Sequence, residues 1–196
     1  MKRTIYIVVV FTALAVVSGV AVGLSVNRQP TLVSVSSILS PRNIDDMTRD
    51  SYAVILGVVE DVSIGKEKSF YRPGEMDVVT TATINVEQYL NNPHNLDLKT
   101  VEVKTLGGTV GNLTLDAESH AKFAMGTTMV IFLDRHDDGS FHVYGVAQGA
   151  YTINEDGTIG TEKEKPFLDS VMTAGGGTLK GLSLNQLRSQ IQNSIK

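Results

Sequence analysis

The 196-residue chain predicts a mainly β protein: a small antiparallel barrel or sandwich of five to six strands, with an apolar helix before it and an amphipathic helix after it. Three observations carry that expectation. Short Val- and Ile-rich segments recur with turn signals between them and little helical periodicity. Ile5 to Val26 is apolar or small throughout. Leu184, Leu187, Ile191 and Ile195 repeat at helical spacing near the C-terminus.

The N-terminal run comes first. Lys2 and Arg3 precede it, and no further charge occurs until Arg28. A helix over Ile5–Val26 reaches about 33 Å, enough to cross a hydrocarbon core of about 30 Å. The apolar core of a signal peptide spans only about 7–15 residues. An uncleaved single-pass anchor is therefore the expected form, and cleavage near Ala21 is the alternative, which gives a secreted protein. The basic N-terminus stays cytoplasmic and sends the rest out of the cytoplasm. The expected partition is 1–27 anchor or signal segment, 28–50 linker and short helix, 51–161 barrel, and 162–196 linker and C-terminal helix.

Asn27 to Ser40 is Ser-rich, holds Pro30, and reads as a linker. Pro41 to Arg49 reads as a short helix, because Asp45 and Asp46 suit a first turn. Tyr52 to Ser63 is apolar on both faces, as a central strand is. Gly65 to Asp77 reads as a charged loop with Pro73-Gly74 as its turn. Thr80, Ala82, Ile84 and Val86 alternate with polar residues, as do Val101 and Val103, so each set marks a half-buried strand. Thr128 to Leu133, Phe141 to Val146 and Ala150 to Ile153 complete the set, the last closed by a turn over Asn154–Gly157. After the charged run EKEKP and the glycines 175–177, Ser183 and Gln186 form a capping box, and Leu182 is placed to staple onto Leu187. The stripe behind them packs on the barrel or, in the alternative, docks a partner.

Composition narrows the chemistry. The chain has no cysteine, which removes disulfides, thiolate nucleophiles and Cys-ligated zinc. Beyond Lys2 and Arg3 there are 15 basic against 21 acidic residues, a net of −6. No basic stripe invites nucleic acid. The glycine cluster LGGTVGN follows a strand but matches neither the P-loop nor the dinucleotide fingerprint. A bend where the strand leaves its sheet explains it better than a nucleotide site. No cofactor is expected.

The segments YAVILGVVEDV, TTATINVEQYL, VEVKTLGGTVGN, AKFAMGTTMVIFL and VYGVAQGAYTI resemble, in this order, a group of uncharacterised exported bacterial and archaeal proteins. The similarity covers about half the chain, from Tyr52 to Ile153. The resemblance implies an OB-like barrel, distantly similar in architecture to the netrin-like domain of tissue inhibitors of metalloproteinases. Those inhibitors hold the protease zinc through an N-terminal cysteine and staple the barrel with disulfides. This chain has neither, so the resemblance implies a fold and a compartment and carries no inhibitory residue over.

Within HDDGSFH, His136, Asp137 and His142 are the candidate metal ligands. Turn register decides the matter: a two-residue turn at Asp138-Gly139 sends the imidazoles to opposite faces, whereas a three-residue loop over Asp137–Gly139 puts them on one face. Nucleophile motifs are weak, since there is no G-x-S-x-G and S-x-x-K occurs twice, at Ser63-Lys66 and Ser119-Lys122. His94 reads as a solvated turn residue, and for His120, between strands, the sequence alone names no partner. Asn112 heads a glycosylation sequon. OB-type barrels bind with the loops beside their central strands, so Phe70, Tyr71 and Arg72 are the expected contact surface. The expected function is a membrane-anchored, extracytoplasmic binding or assembly module for a protein partner, without enzymatic activity. A protease inhibitor of netrin-like type, or an envelope hydrolase or metal-binding protein, is the alternative.

Overall fold

The computed structural model describes residues 30–35, 42–70, 72–160 and 181–195. The apolar run Ile5–Val26, Tyr71, the EKEKP run and glycines 175–177 lie outside them. No helix among the described residues is long and apolar enough to cross a membrane.

The architecture is mainly β. Strands run Thr31–Val35 (β1), Ala53–Lys68 (β2), Met76–Asn91 (β3), Thr100–Leu106 (β4), Gly108–Val110 (β5), Leu113–Ala117 (β6), Thr128–Arg135 (β7), Phe141–Val143 (β8), Ala150–Ile153 (β9) and Ile159–Gly160 (β10). Helices cover Ile44–Asp50 (α1) and Leu184–Ser194 (α2). Five strands form a ring of pairings in the order β7-β2-β3-β4-β8, which closes because β8 also pairs with β7. Every pairing in the ring is antiparallel except β4–β8, which is parallel over Val103↔Phe141 and Lys104↔His142. That short seam makes the closure partial.

The ring has an interior because each of its strands turns apolar side chains to one side. Ala53 and Ile55 of β2, Ala82 and Ile84 of β3, Val101 and Val103 of β4, Ile131 and Leu133 of β7, and Val143 of β8 form one buried cluster. Val54, Leu56, Val130 and Phe132 alternate with these and build a second core outside the ring. There they meet Met47 of α1, Tyr151, Ile159, and Leu187 and Ile191 of α2. β2 over residues 53–59 and β7 over residues 129–133 are thus buried on both faces, as the apolar start of the Tyr52–Ser63 run leads one to expect, whereas Glu60, Asp61 and Ser63 are exposed.

The stripe of α2 packs on this outer core, with Leu187 and Ile191 fully buried and Ile195 exposed. Its capping box is present: the Ser183 hydroxyl accepts from Gln186 N, and the Gln186 side chain accepts from Ser183 N. Ser183→Ala is expected to lower the unfolding free energy by about 1 kcal/mol, read from the urea midpoint. An unchanged midpoint would show that α2 is held by its apolar face alone.

Four expectations need correction. Gly65–Asp77 is not a loop as a whole: β2 runs to Lys68 and β3 starts at Met76, paired through Lys68↔Met76. The two strands form an arm beyond the ring, since β2 pairs with β7 only over 53–58 and β3 with β4 only over 79–85. The Asn27–Ser40 linker holds β1, which pairs parallel with β6 from Thr31↔Leu113 to Val35↔Ala117. The strand from Phe141 ends at Val143, because Gly145 and Val146 take left-handed φ of 67° and 63° and lead into a 3-10 turn. Finally, the strands outnumber the five or six expected, because β5 and β6 join β1 in a second sheet of order β1-β6-β5 and the two-residue β10 adds to the first sheet beside β9.

The glycine cluster makes the passage between the two sheets. Gly107 and Gly108 have φ of +114° and +122°, a region that L side chains rarely adopt. A Cβ on Gly108 would sit 2.6 Å from Ile64 Cγ2, so a side chain here would displace Ile64 where the second sheet meets the arm.

Candidate functional site

The β7–β8 hairpin brings the histidines together. His136 N donates to Ser140 O at 3.0 Å and Gly139 N donates to His136 O at 2.8 Å. The loop is therefore the three-residue one, Asp137–Gly139, with Arg135 opposite Phe141 and Asp134 opposite His142. His136 and His142 share a face, and their rings stack at 3.8 Å between centroids and 18° between planes.

Phe70, at the tip of the arm, meets the same pair. Its ring stands edge-on to His142 at 4.3 Å and to His136 at 5.9 Å. Two segments that are 66 residues apart from Phe70 to His136 thus form the walls of a single cleft of about 590 Å³. Lys66, Lys68, Met76, Asp137 and Asp138 also line it. Lys104 forms an ion pair with the lining residue Glu67 at 2.5 Å, which ties β4 to the arm.

Arg72 does not reach into this cleft as a free cation. It pairs with Glu75 at 2.7 Å and with the buried Asp77 carboxylate at 2.5 Å, and so fastens the turn at the arm tip. Tyr71 lies outside the described residues. Asn112 is exposed in the β5–β6 turn, where its backbone oxygen accepts from Thr31 N.

The stacked imidazoles are poorly arranged for a metal. Rings stacked face to face aim their nitrogens alongside one another rather than at one point, and among the described residues no group of three or more His, Cys, Asp or Glu is placed to hold an ion. The Asp134 carboxylate is 3.8 Å from His136 Nε2, beyond hydrogen-bonding range.

Ser140 stands between a carboxylate and an imidazole. Its hydroxyl donates to Asp138 Oδ1 at 2.6 Å, and it lies 2.9 Å from His142 Nε2. A hydrolase triad places the carboxylate on the imidazole and needs a base with a pKa near the working pH. Here the carboxylate holds the serine instead. Burial, reinforced by His136, pushes the His142 pKa down to about 4. The imidazole is neutral at pH 7 and a feeble base, so this arrangement positions Ser140 and does not activate it. Asp138, bonded by the Ser140 hydroxyl and amide, is held below the usual carboxylate range.

Sequence reasoning passed over Ser140, Lys104 and Met76. A signal for Ser140 was present: Asp-Gly-Ser recurs as Asp-Gly-Thr at Asp156–Thr158, and in both the aspartate accepts from the amide and hydroxyl two residues on. His94 is also more than a solvated turn residue, since it stacks on Tyr52 at 3.9 Å, while Arg135 donates to the Tyr52 hydroxyl. His120 is buried beside Ser119, with 3.5 Å between Ser119 Oγ and its Nδ1. Ser63 and Lys66 lie three apart on β2 and so face opposite ways.

No family model and no curated protein sequence matches the chain.

Proposed function

We propose that the chain is a membrane-anchored, extracytoplasmic binding module on an OB-like barrel, which holds a protein partner in the cleft between the arm tip and the β7–β8 hairpin. Counted along the chain, the ring strands are β2, β3, β4, β7 and β8. The cyclic order 1-2-3-5-4, with its one parallel pairing between third and fifth, supports the OB-like reading. Barrels of this type bind with the loops after the first and fourth strands, here 69–75 and 136–140.

The observation that carries the reading is the contact of Phe70 with both histidines, because it joins those two loops into one recessed surface. The cleft mixes an aromatic edge, the exposed Met76 and charges of both signs. That mixture suits a protein surface, in which a few apolar anchors sit within a polar rim. It offers no basic track to nucleic acid. The anchor reading rests on Ile5–Val26 and the basic residues before it.

The test is to immobilise the full chain in detergent, expose it to a detergent extract of the source envelope, and compare it with Met76→Asp and Lys68→Glu. Both side chains are exposed in the cleft, so the fold is not at stake. One stoichiometric partner is expected, with affinity about tenfold weaker for either variant, in keeping with a peripheral hot-spot contact. A partner held equally by both variants removes the cleft as the binding surface.

A further inference from the structure

A second recess lies on the other side of the glycine passage, between the arm and the small sheet. It has about 320 Å³, at the lower end of the range for ligand pockets, about 300–1,000 Å³. Val62 and Ile64 of the arm form one wall, Leu106 and Leu115 the other, and Leu32 and Phe123 complete it. Leu32 and Ile64 remain 69% and 44% exposed, so the recess opens to the outside through apolar side chains.

Its polar groups are already engaged. Thr80 Oγ1 donates to Gly107 O at 2.7 Å, Thr109 and Thr114 bond each other at 3.0 Å, and Lys122 faces Asp116 at 3.8 Å. A ligand here is offered hydrocarbon contact and little else. The chain before Leu32 indicates which hydrocarbon is at hand. Leu32 follows Val26, the last residue of the apolar run, by six positions. Six residues reach about 20 Å at most, so the mouth of the recess is leashed to the bilayer surface.

The geometry points to an acyl chain of a bilayer lipid as the occupant of this recess, an inference that rests on Ile5–Val26 being a retained anchor. A retained anchor of this kind keeps membrane lipid within reach of Leu32. Lipid there also covers the exposed side chains that the fold leaves open.

The full chain reconstituted in phosphatidylcholine vesicles, with a phospholipid carrying a terminal diazirine on one acyl chain, tests this. After irradiation and digestion, adducts are expected on peptides from Ile5–Val26 and also on peptides containing Val62–Ile64 and Leu113–Phe123. Leu32→Asp places a charge at the mouth and should lower the recess adducts about tenfold while leaving the anchor adducts intact. Ile195→Asp, which removes an exposed apolar side chain elsewhere, should change neither. Adducts confined to the anchor, or recess adducts indifferent to Leu32→Asp, would overturn the inference and leave the anchor standing. Adducts nowhere would remove the anchor and the inference with it. An adduct-free recess in a chain that cross-links as a dimer would assign the surface to a second copy.

Discussion

Gly57→Ala is expected to lower the unfolding free energy by about 3 kcal/mol, while Gly65→Ala, on the same strand, leaves it unchanged or raises it by about 0.5 kcal/mol. A Cβ on Gly57 would lie 2.4 Å from Asn85 O and 2.7 Å from Ile84 Cγ2. The first of these is backbone in the neighbouring strand, so no rotamer change relieves it. Strands β2 and β3 also shift register between Leu56 and Gly57. Widening them there pushes Ile84 against the packed interior of the ring. Gly65 has nothing within 4 Å of its added Cβ, so alanine there mainly restricts the unfolded chain. For a chain of this size the Gly57 variant should melt about 6–12 °C lower. Equal melting temperatures for the two variants would mean that the ring does not depend on the close approach at Gly57.

The same strand shows what was legible in the sequence and what was not. The two-sided burial of β2 was readable, because Val54, Ile55 and Leu56 are consecutive and apolar and only a strand covered on both faces accommodates that. Its continuation into the arm was not. Lys66, Glu67 and Lys68 carry no apolar alternation, and their strand state comes from pairing with Val78, Asp77 and Met76 in turn rather than from burial. Strand β1 escaped for a related reason: its partner β6 is some eighty residues away, and Thr-Leu-Val-Ser-Val sits in Ser-rich surroundings. At Val146 local propensity pointed the wrong way. A β-branched residue argues for strand, but the chain turns there at φ 63°, and Ala147 goes on to bond Ser119 O.

The candidate cleft divides in the same manner. His136 and His142 were visible as a pair with two possible registers, and the turn geometry chose between them. Phe70 was visible as an aromatic residue near the arm tip. Their meeting was not readable, because it depends on how far the arm extends and on the fold that swings it over the β7–β8 hairpin.

Acid is expected to destabilise the folded chain through His142, between pH 6.5 and about pH 4. The free imidazole titrates near 6.5, and in the folded chain His142 does so at about 4. The unfolded chain therefore takes up the proton first as pH falls, and stability drops across that window. Above pH 6.5 the contribution is fully present; below about 4 it is gone. Each factor of ten in proton affinity is worth about 1.4 kcal/mol, so the complete loss approaches about 3 kcal/mol.

The cause is visible in what surrounds the ring. Burial removes water from it, His136 is stacked against it, and Phe70 covers it edge-on. Lys104 from β4 opposes the charge as well, though Glu67 shares that lysine. Only Asp138, behind Ser140, favours protonation. His142→Gln keeps a polar group for Ser140 but has nothing to titrate in this range. Urea midpoints at pH 7.5 and pH 4.5 should separate by the equivalent of about 2 kcal/mol or more for the wild type, and by clearly less for His142→Gln. If the two proteins lose stability in parallel, other groups govern the acid response and the buried imidazole is not the sensor. Because Phe70 rests on this ring, the acid loss should appear first in the cleft, as faster amide exchange in the hairpin 134–143 than in β7 residues 129–133.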